Sequence, residues 1–95
     1  MVSIQSITMY ARERFCPDVA RTRGRLEELG LTWTEHDIEA DAGAARLVQA
    51  LTGQRRVPTL VVGSAVLVEP TNDQLDATLR NAGFEVEEAA ELGAR

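Results

Sequence analysis

The chain has 95 residues, 44% of them hydrophobic, and a net charge of −5. That is one domain with enough aliphatic side chains for a core, and too acidic for a dedicated nucleic-acid or anionic-membrane binder. The single cysteine, Cys16, and single histidine, His36, exclude within one chain a four-ligand zinc site of Cys and His and any disulfide framework.

Ser3 to Tyr10 is rich in β-formers without a breaker, and the alternation of Ile7 and Met9 with Ser6 and Thr8 predicts a first strand. A charged loop leads to Cys16-Pro17, where proline suits the first helical position and Cys16 becomes the N-cap. Val19, Thr22, Leu26 and Leu29 then mark the inner face of a helix that Gly30 and Leu31 terminate. Leu31 to Ile38 reads as a second strand. Asp41 caps a helix in which Ala44, Leu47, Val48 and Leu51 form the apolar face, and Gly53 closes it. Thr59 to Val62 and Ala65 to Glu69, joined by Gly63-Ser64, predict a β-hairpin. Thr71 with Gln74 is a capping box for a last helix carrying Leu75, Leu79 and Ala82 inward. The order is βαβαββα over residues 1–84, and residues 85–95 form an acidic tail, frayed or loosely docked.

All ten basic residues are arginine, and Arg12, Arg14, Arg21, Arg23 and Arg25 crowd the fourteen positions around Cys16. Glu85, Glu87, Glu88 and Glu91 against Arg95 put −3 on the last eleven residues. A thiol at a helix N-terminus faces the positive end of the dipole and unpaired N–H groups, which favours the reactive thiolate; the plain alternative is a buried small hydrophobe. Arg21, Arg23 and Arg25 read as a solvated helix face, and His36 as a solvated or hydrogen-bonded residue of an edge strand. No apolar run approaches the ~18 residues of a membrane span, and the start MVSIQSITMY lacks the basic and apolar regions of a signal peptide, so a cytoplasmic protein is expected.

Tyr10 and Arg12 after the first strand, FCPDV at 15 to 19, LEELGLTWTEHDI at 26 to 38, TGQRRVPTLVVG at 52 to 63 and Thr71-Asn72-Asp73 at the last helix stand in an order that resembles the glutaredoxin branch of the thioredoxin fold. The resemblance spans residues 4 to 83. It implies an α/β fold with a four-stranded mixed sheet flanked by helices, a catalytic Cys16, and a cis proline at Pro58 that sets the Val57 backbone across from the thiol. It also implies glutathione binding by Arg12 or Arg14, Arg56, Val57, Pro58, Asn72 and Asp73, with Asp73 a capping carboxylate first. Glutathione or a similar thiol would be a co-substrate, with no bound cofactor and no metal, and glutathionylated proteins would be partners of a monomer. The VPTLVVGSAVLVEP stretch also looks like the N-terminal domain of glutathione transferases, whose helical second domain has no room here.

Three departures shape the expectation. Val19 stands where the dithiol form of the family has its second cysteine, so only monothiol exchange survives. Val68-Glu69-Pro70 replaces the common Gly-Gly before the last helix. Pro17 after the cysteine and the absence of lysine argue against the iron–sulfur-binding type. Two readings follow: a monothiol thiol–disulfide oxidoreductase in cell redox homeostasis, or a catalytically inactive binding or regulatory module that lost the resolving cysteine. A dithiol electron donor to one partner enzyme is disfavoured for want of the second thiol.

Overall fold

The computed structural model describes residues 6–86. Its elements are β1 (Ile7–Ala11), α1 (Pro17–Glu28), β2 (Thr34–Asp37), α2 (Ala42–Thr52), β3 (Thr59–Val62), β4 (Ala65–Val68) and α3 (Asn72–Asn81). The predicted tail beyond Val86 lies outside the described residues, as do the first residues of the predicted opening strand.

Local signals in the sequence set most boundaries. Pro17 opens α1, where its missing N–H removes no helical bond. At its end, Gly30 takes φ 73°, the Gly30 N–H donates to the Glu27 carbonyl and the Leu31 N–H to the Leu26 carbonyl. This is the paired 6→1 and 5→2 closure of a Schellman motif. The end of α3 repeats it: Gly83 donates to Arg80 and Phe84 to Leu79. At its start the Thr71 hydroxyl accepts from the Gln74 N–H while the Gln74 side chain accepts from the Thr71 N–H, a capping box worth about 1 kcal/mol. The second strand is shorter than predicted, because Leu31 and Trp33 are drawn into packing against the core.

The sheet order is β2-β1-β3-β4, with β1 parallel to β2 and antiparallel to β3, and β3 antiparallel to β4. Register puts Met9, Leu60 and Leu67 on one face and Tyr10, Thr59 and Val68 on the other. Met9, Tyr10, Thr59 and Leu60 are all buried, so the two central strands are covered on both faces. The His36 ring stacks on its cross-strand neighbour Tyr10 with centroids 5.4 Å apart.

Two expectations about side chains need correction. Leu47 and Leu51 are 44% exposed; α2 buries Ala44, Ala45 and Val48 instead. At about 100° per residue these three centre a face from which Leu47 and Leu51 are rotated outward. Small alanines let the helix sit close to the sheet, and the larger leucines fall at its rim. Arg25 is not on a solvated face: it is buried, with Nε 2.9 Å from Asp76 Oδ1, Nη2 2.9 Å from Asp76 Oδ2, and Nη1 2.8 Å from Glu28 Oε1. A carboxylate from α3 covers the flank of α1, and the pairing raises the Arg25 pKa above its already high ordinary value.

Glu35 on β2 accepts from Arg23 and from the Trp33 indole N–H. The Arg23 hydrogen bond, outweighing burial, lowers the Glu35 pKa from its ordinary 4.5. A carboxyl lowered in the folded state contributes stability at pH values above its unfolded pKa and loses it as pH falls through the folded one. Both side chains are partly exposed, which limits the effect to under ~1 kcal/mol. We expect Glu35→Gln to narrow the gap between melting temperatures at pH 6 and pH 3; an unchanged gap refutes the assignment.

Candidate functional site

The sheet register gathers the predicted residues at one end of the molecule. β1 runs toward Ala11 and Cys16 follows it; the antiparallel pair Tyr10↔Thr59 then sets Val57 and Pro58 at the same end. The pair Thr59↔Val68 brings the exit of β4 there too, so that Glu69, Pro70 and the start of α3 with Asn72 and Asp73 complete the rim.

Cys16 is the N-cap of α1, with φ −141° and ψ 120° and no side-chain capping bond. Its thiol is therefore not consumed by the helix it starts. The residue is half-buried and packs against the core. Val57 and Pro58 are buried, and the peptide bond between them is cis. The Arg56 carbonyl accepts from the Thr59 hydroxyl at 2.8 Å, and the Pro58 carbonyl accepts from the Glu69 N–H at 2.8 Å. These bonds fix the loop from both sides.

The arginines behave differently from the sequence expectation of a cluster open to a ligand. Arg12 and Arg14 share Glu39, at 3.4 and 2.7 Å, and Arg12 Nη2 also donates to the Arg55 carbonyl. Arg56 Nη1 lies 3.2 Å from Glu69 Oε1. Arg21 pairs with Asp18 and donates to the Pro70 carbonyl at 3.1 Å, so it ties the first turns of α1 to the segment before α3. Each candidate glutathione-binding arginine thus already faces an internal carboxylate, which a ligand carboxylate must displace. Asn72 opens α3 with its Oδ1 buried and without a hydrogen-bond partner among the described residues, and Asp73 is exposed in the first turn.

Sequence reasoning missed the roles of Glu39, Glu69 and Arg21. Glu69 holds φ 50°, a left-handed conformation that costs a non-glycine residue about 1–2 kcal/mol. Val68-Glu69-Pro70 in place of a glycine pair was the visible signal, because the backbone there makes a turn that glycine adopts freely. Among the described residues no group of three or more His, Cys, Asp or Glu could hold a metal ion. No helix among them is long and apolar enough to cross a membrane.

A mixed four-stranded sheet flanked by three helices, with a cysteine capping the first and a cis proline entering the third strand, defines a small redox protein of thioredoxin-like fold. The glutaredoxin family model matches residues 7–67, and the chain belongs to that family. No curated protein matches the sequence. Among solved structures it is similar to a glutaredoxin from Archaeoglobus fulgidus, at 21% identity over 80% of this chain and 87% of that one, TM-score 0.71. It is similar also to the glutaredoxin-like NrdH-redoxin of Escherichia coli, at 22% identity over 76% and 92%, TM-score 0.68. A buckwheat glutaredoxin–glutathione complex aligns at 16% identity over 84% and 73%, TM-score 0.61.

Proposed function

We propose that the protein is a monothiol thiol–disulfide oxidoreductase in which Cys16 exchanges with glutathione or another low-molecular-weight thiol. The observation that carries this reading is a half-exposed thiol at the N-cap of α1, at the same sheet end as the Val57–Pro58 rung. The buckwheat relative is a glutathione complex, which supports glutathione as a co-substrate. No cofactor or metal enters the chemistry, and a monomer in the cytoplasm suits it.

The steps balance without a second protein thiol. The Cys16 thiolate attacks the glutathione sulfur of a glutathionylated protein; the S–S bond breaks, the protein thiolate leaves and takes a proton from water, and Cys16 carries the mixed disulfide. A second glutathione thiolate attacks the glutathione sulfur of that adduct, releasing Cys16 and glutathione disulfide. Each turnover consumes one free glutathione thiol, and the other half of the glutathione disulfide comes from the glutathionylated substrate.

A second reading, a binding module without catalysis, draws on Val19, which is buried in the place of the resolving cysteine, and on the internal pairing of Arg12, Arg14 and Arg56. One experiment separates the two. The protein is mixed with a glutathionylated peptide, its intact mass is followed, and glutathione is then added. Exchange predicts an adduct on Cys16 that glutathione removes with turnover, all lost in Cys16→Ser. No adduct, with amide shifts at Arg56, Val57 and Asp73 on adding glutathione, favours the binding module and overturns catalysis.

A further inference from the structure

At the carboxyl ends of the parallel strands β1 and β2 lies an open cleft of about 620 Å³ lined by Arg12, Ile38, Glu39, Ala45, Arg46 and Arg55 among others. Ligands of open α/β sheets lie in this position relative to the strands. The cleft holds three arginines against one acid, in a chain whose net charge is −5. Glu39 is already divided between Arg12 and Arg14, and Arg46 and Arg55 have no side-chain hydrogen bond or ion pair among the described residues. Arg12 Nε is a buried atom whose facing acceptor, Glu39 Oε2 at 3.4 Å, is beyond good hydrogen-bond geometry. The first turn of α2, which begins at Ala42 on the cleft wall, carries no acidic residue, unlike the first turns of α1 and α3. The N-cap Asp41 turns its carboxylate to the Ala44 N–H.

One carboxylate would answer one of these arginines and leave two unanswered. Guanidinium groups match phosphate oxygens in paired, charge-assisted hydrogen bonds. Arg12 precedes Cys16 by four residues, so their backbones are at most about 14 Å apart. A flexible thiol arm bearing a phosphate bridges that span.

We propose that the thiol exchanged at Cys16 carries a phosphate ester, held by Arg12, Arg46 and Arg55. This rests on the exchange reading above and names its substrate class. The exchange itself is unchanged: the Cys16 thiolate attacks one sulfur of the symmetrical disulfide, the S–S bond breaks, and the other half leaves as the phosphorylated thiolate and is protonated by water.

The test compares two disulfides that differ only in the phosphate, those of phosphopantetheine and of pantetheine, with glutathione disulfide as a third probe. Stopped-flow or mass readout gives the second-order rate of adduct formation on Cys16. The phosphorylated disulfide should react about tenfold faster than pantethine at low ionic strength, and the ratio should shrink in roughly 0.5 M salt, as screening predicts. In Arg46→Ala/Arg55→Ala, both positions being exposed, the ratio of the two rates should fall to near one. Equal rates in the native protein, or a preference that survives the double substitution, overturn the phosphate assignment while leaving exchange intact. No adduct from any of the three disulfides overturns exchange. In that case pyrophosphate titrated into the Cys16→Ser protein decides the anion site by itself: shifts at Ala42 and Arg55 uphold it, and an unmoved amide spectrum removes it.

Discussion

Arg25→Ala is expected to destabilise the domain by about 3–5 kcal/mol, since it strands the carboxylate of Asp76 at the interface between α1 and α3. The guanidinium is 4% exposed and the carboxylate 13%, and the contact is bidentate, so water replaces little of what is lost. A domain of this size has roughly 5–15 kcal/mol in all, and the variant should lose a large share of it in urea denaturation. The pair differs from its parts. Arg25→Met with Asp76→Leu removes both charges together, and the double variant should stay within about 2 kcal/mol of the native protein, because well-packed apolar replacements of buried ion pairs are often neutral or stabilising. A loss below about 1 kcal/mol in Arg25→Ala would show that the bridge is screened like a surface pair. The bridge also bears on the site, since α1 carries Cys16 and α3 carries Asn72 and Asp73.

The second large effect concerns chemistry. Val19→Cys should give a protein that reduces protein disulfides with dithiothreitol as the electron source, at least about tenfold above the native chain, whose single cysteine leaves it without a resolving thiol. Position 19 stands three residues into α1 from the N-cap. The equivalent pair in α3, Thr71 and Gln74, is in hydrogen-bond contact, with the hydroxyl 3.1 Å from the Gln74 nitrogen, so an N-cap side chain lies over the residue three ahead. Disulfides need Cα atoms about 4.4–6.8 Å apart, which residues three apart at a helix start meet, their Cβ atoms being about 5–6 Å apart. A new thiolate at position 19 would attack the mixed disulfide on Cys16, releasing the substrate thiol and closing an internal disulfide with Cys16 that dithiothreitol reopens. Val19 is buried, and trimming its branched side chain should lower stability by about 1 kcal/mol. The readout is insulin precipitation together with the mass of the oxidised protein. A variant that forms the internal disulfide yet reduces no protein disulfide would place the defect in substrate access and not in the missing thiol.

Much of this architecture is legible in the order of residues. Pro17, Gly30 with Leu31, Thr71 with Gln74, and Gly63-Ser64 each act through bonds within a few residues, so the helix ends and the hairpin follow from local chemistry. The convergence of Cys16, Val57, Pro58 and Asp73 on one end follows from the order of elements, given the family likeness. What the sequence conceals depends on which element faces which. Arg25 looks like any helix arginine until Asp76, fifty-one residues on, closes over it. Leu47 and Leu51 carry helical spacing equal to that of Val48, and only the close approach of Ala44 and Ala45 to the sheet decides which stripe is inward. The arginines around Cys16 look like an open cationic field because Glu39 and Glu69, their partners, come from distant segments.

Glu69 links these observations. Its backbone donates to Pro58, its side chain meets Arg56, and its φ is one that glycine adopts freely. A substitution to glycine would relax the turn and free Arg56 in one step, so selection for a sturdier fold and selection for an occupied carboxylate partner pull this position in opposite directions. A library at position 69 sorted for folding alone should therefore enrich glycine, whereas the native acid holds Arg56 at a cost in backbone strain.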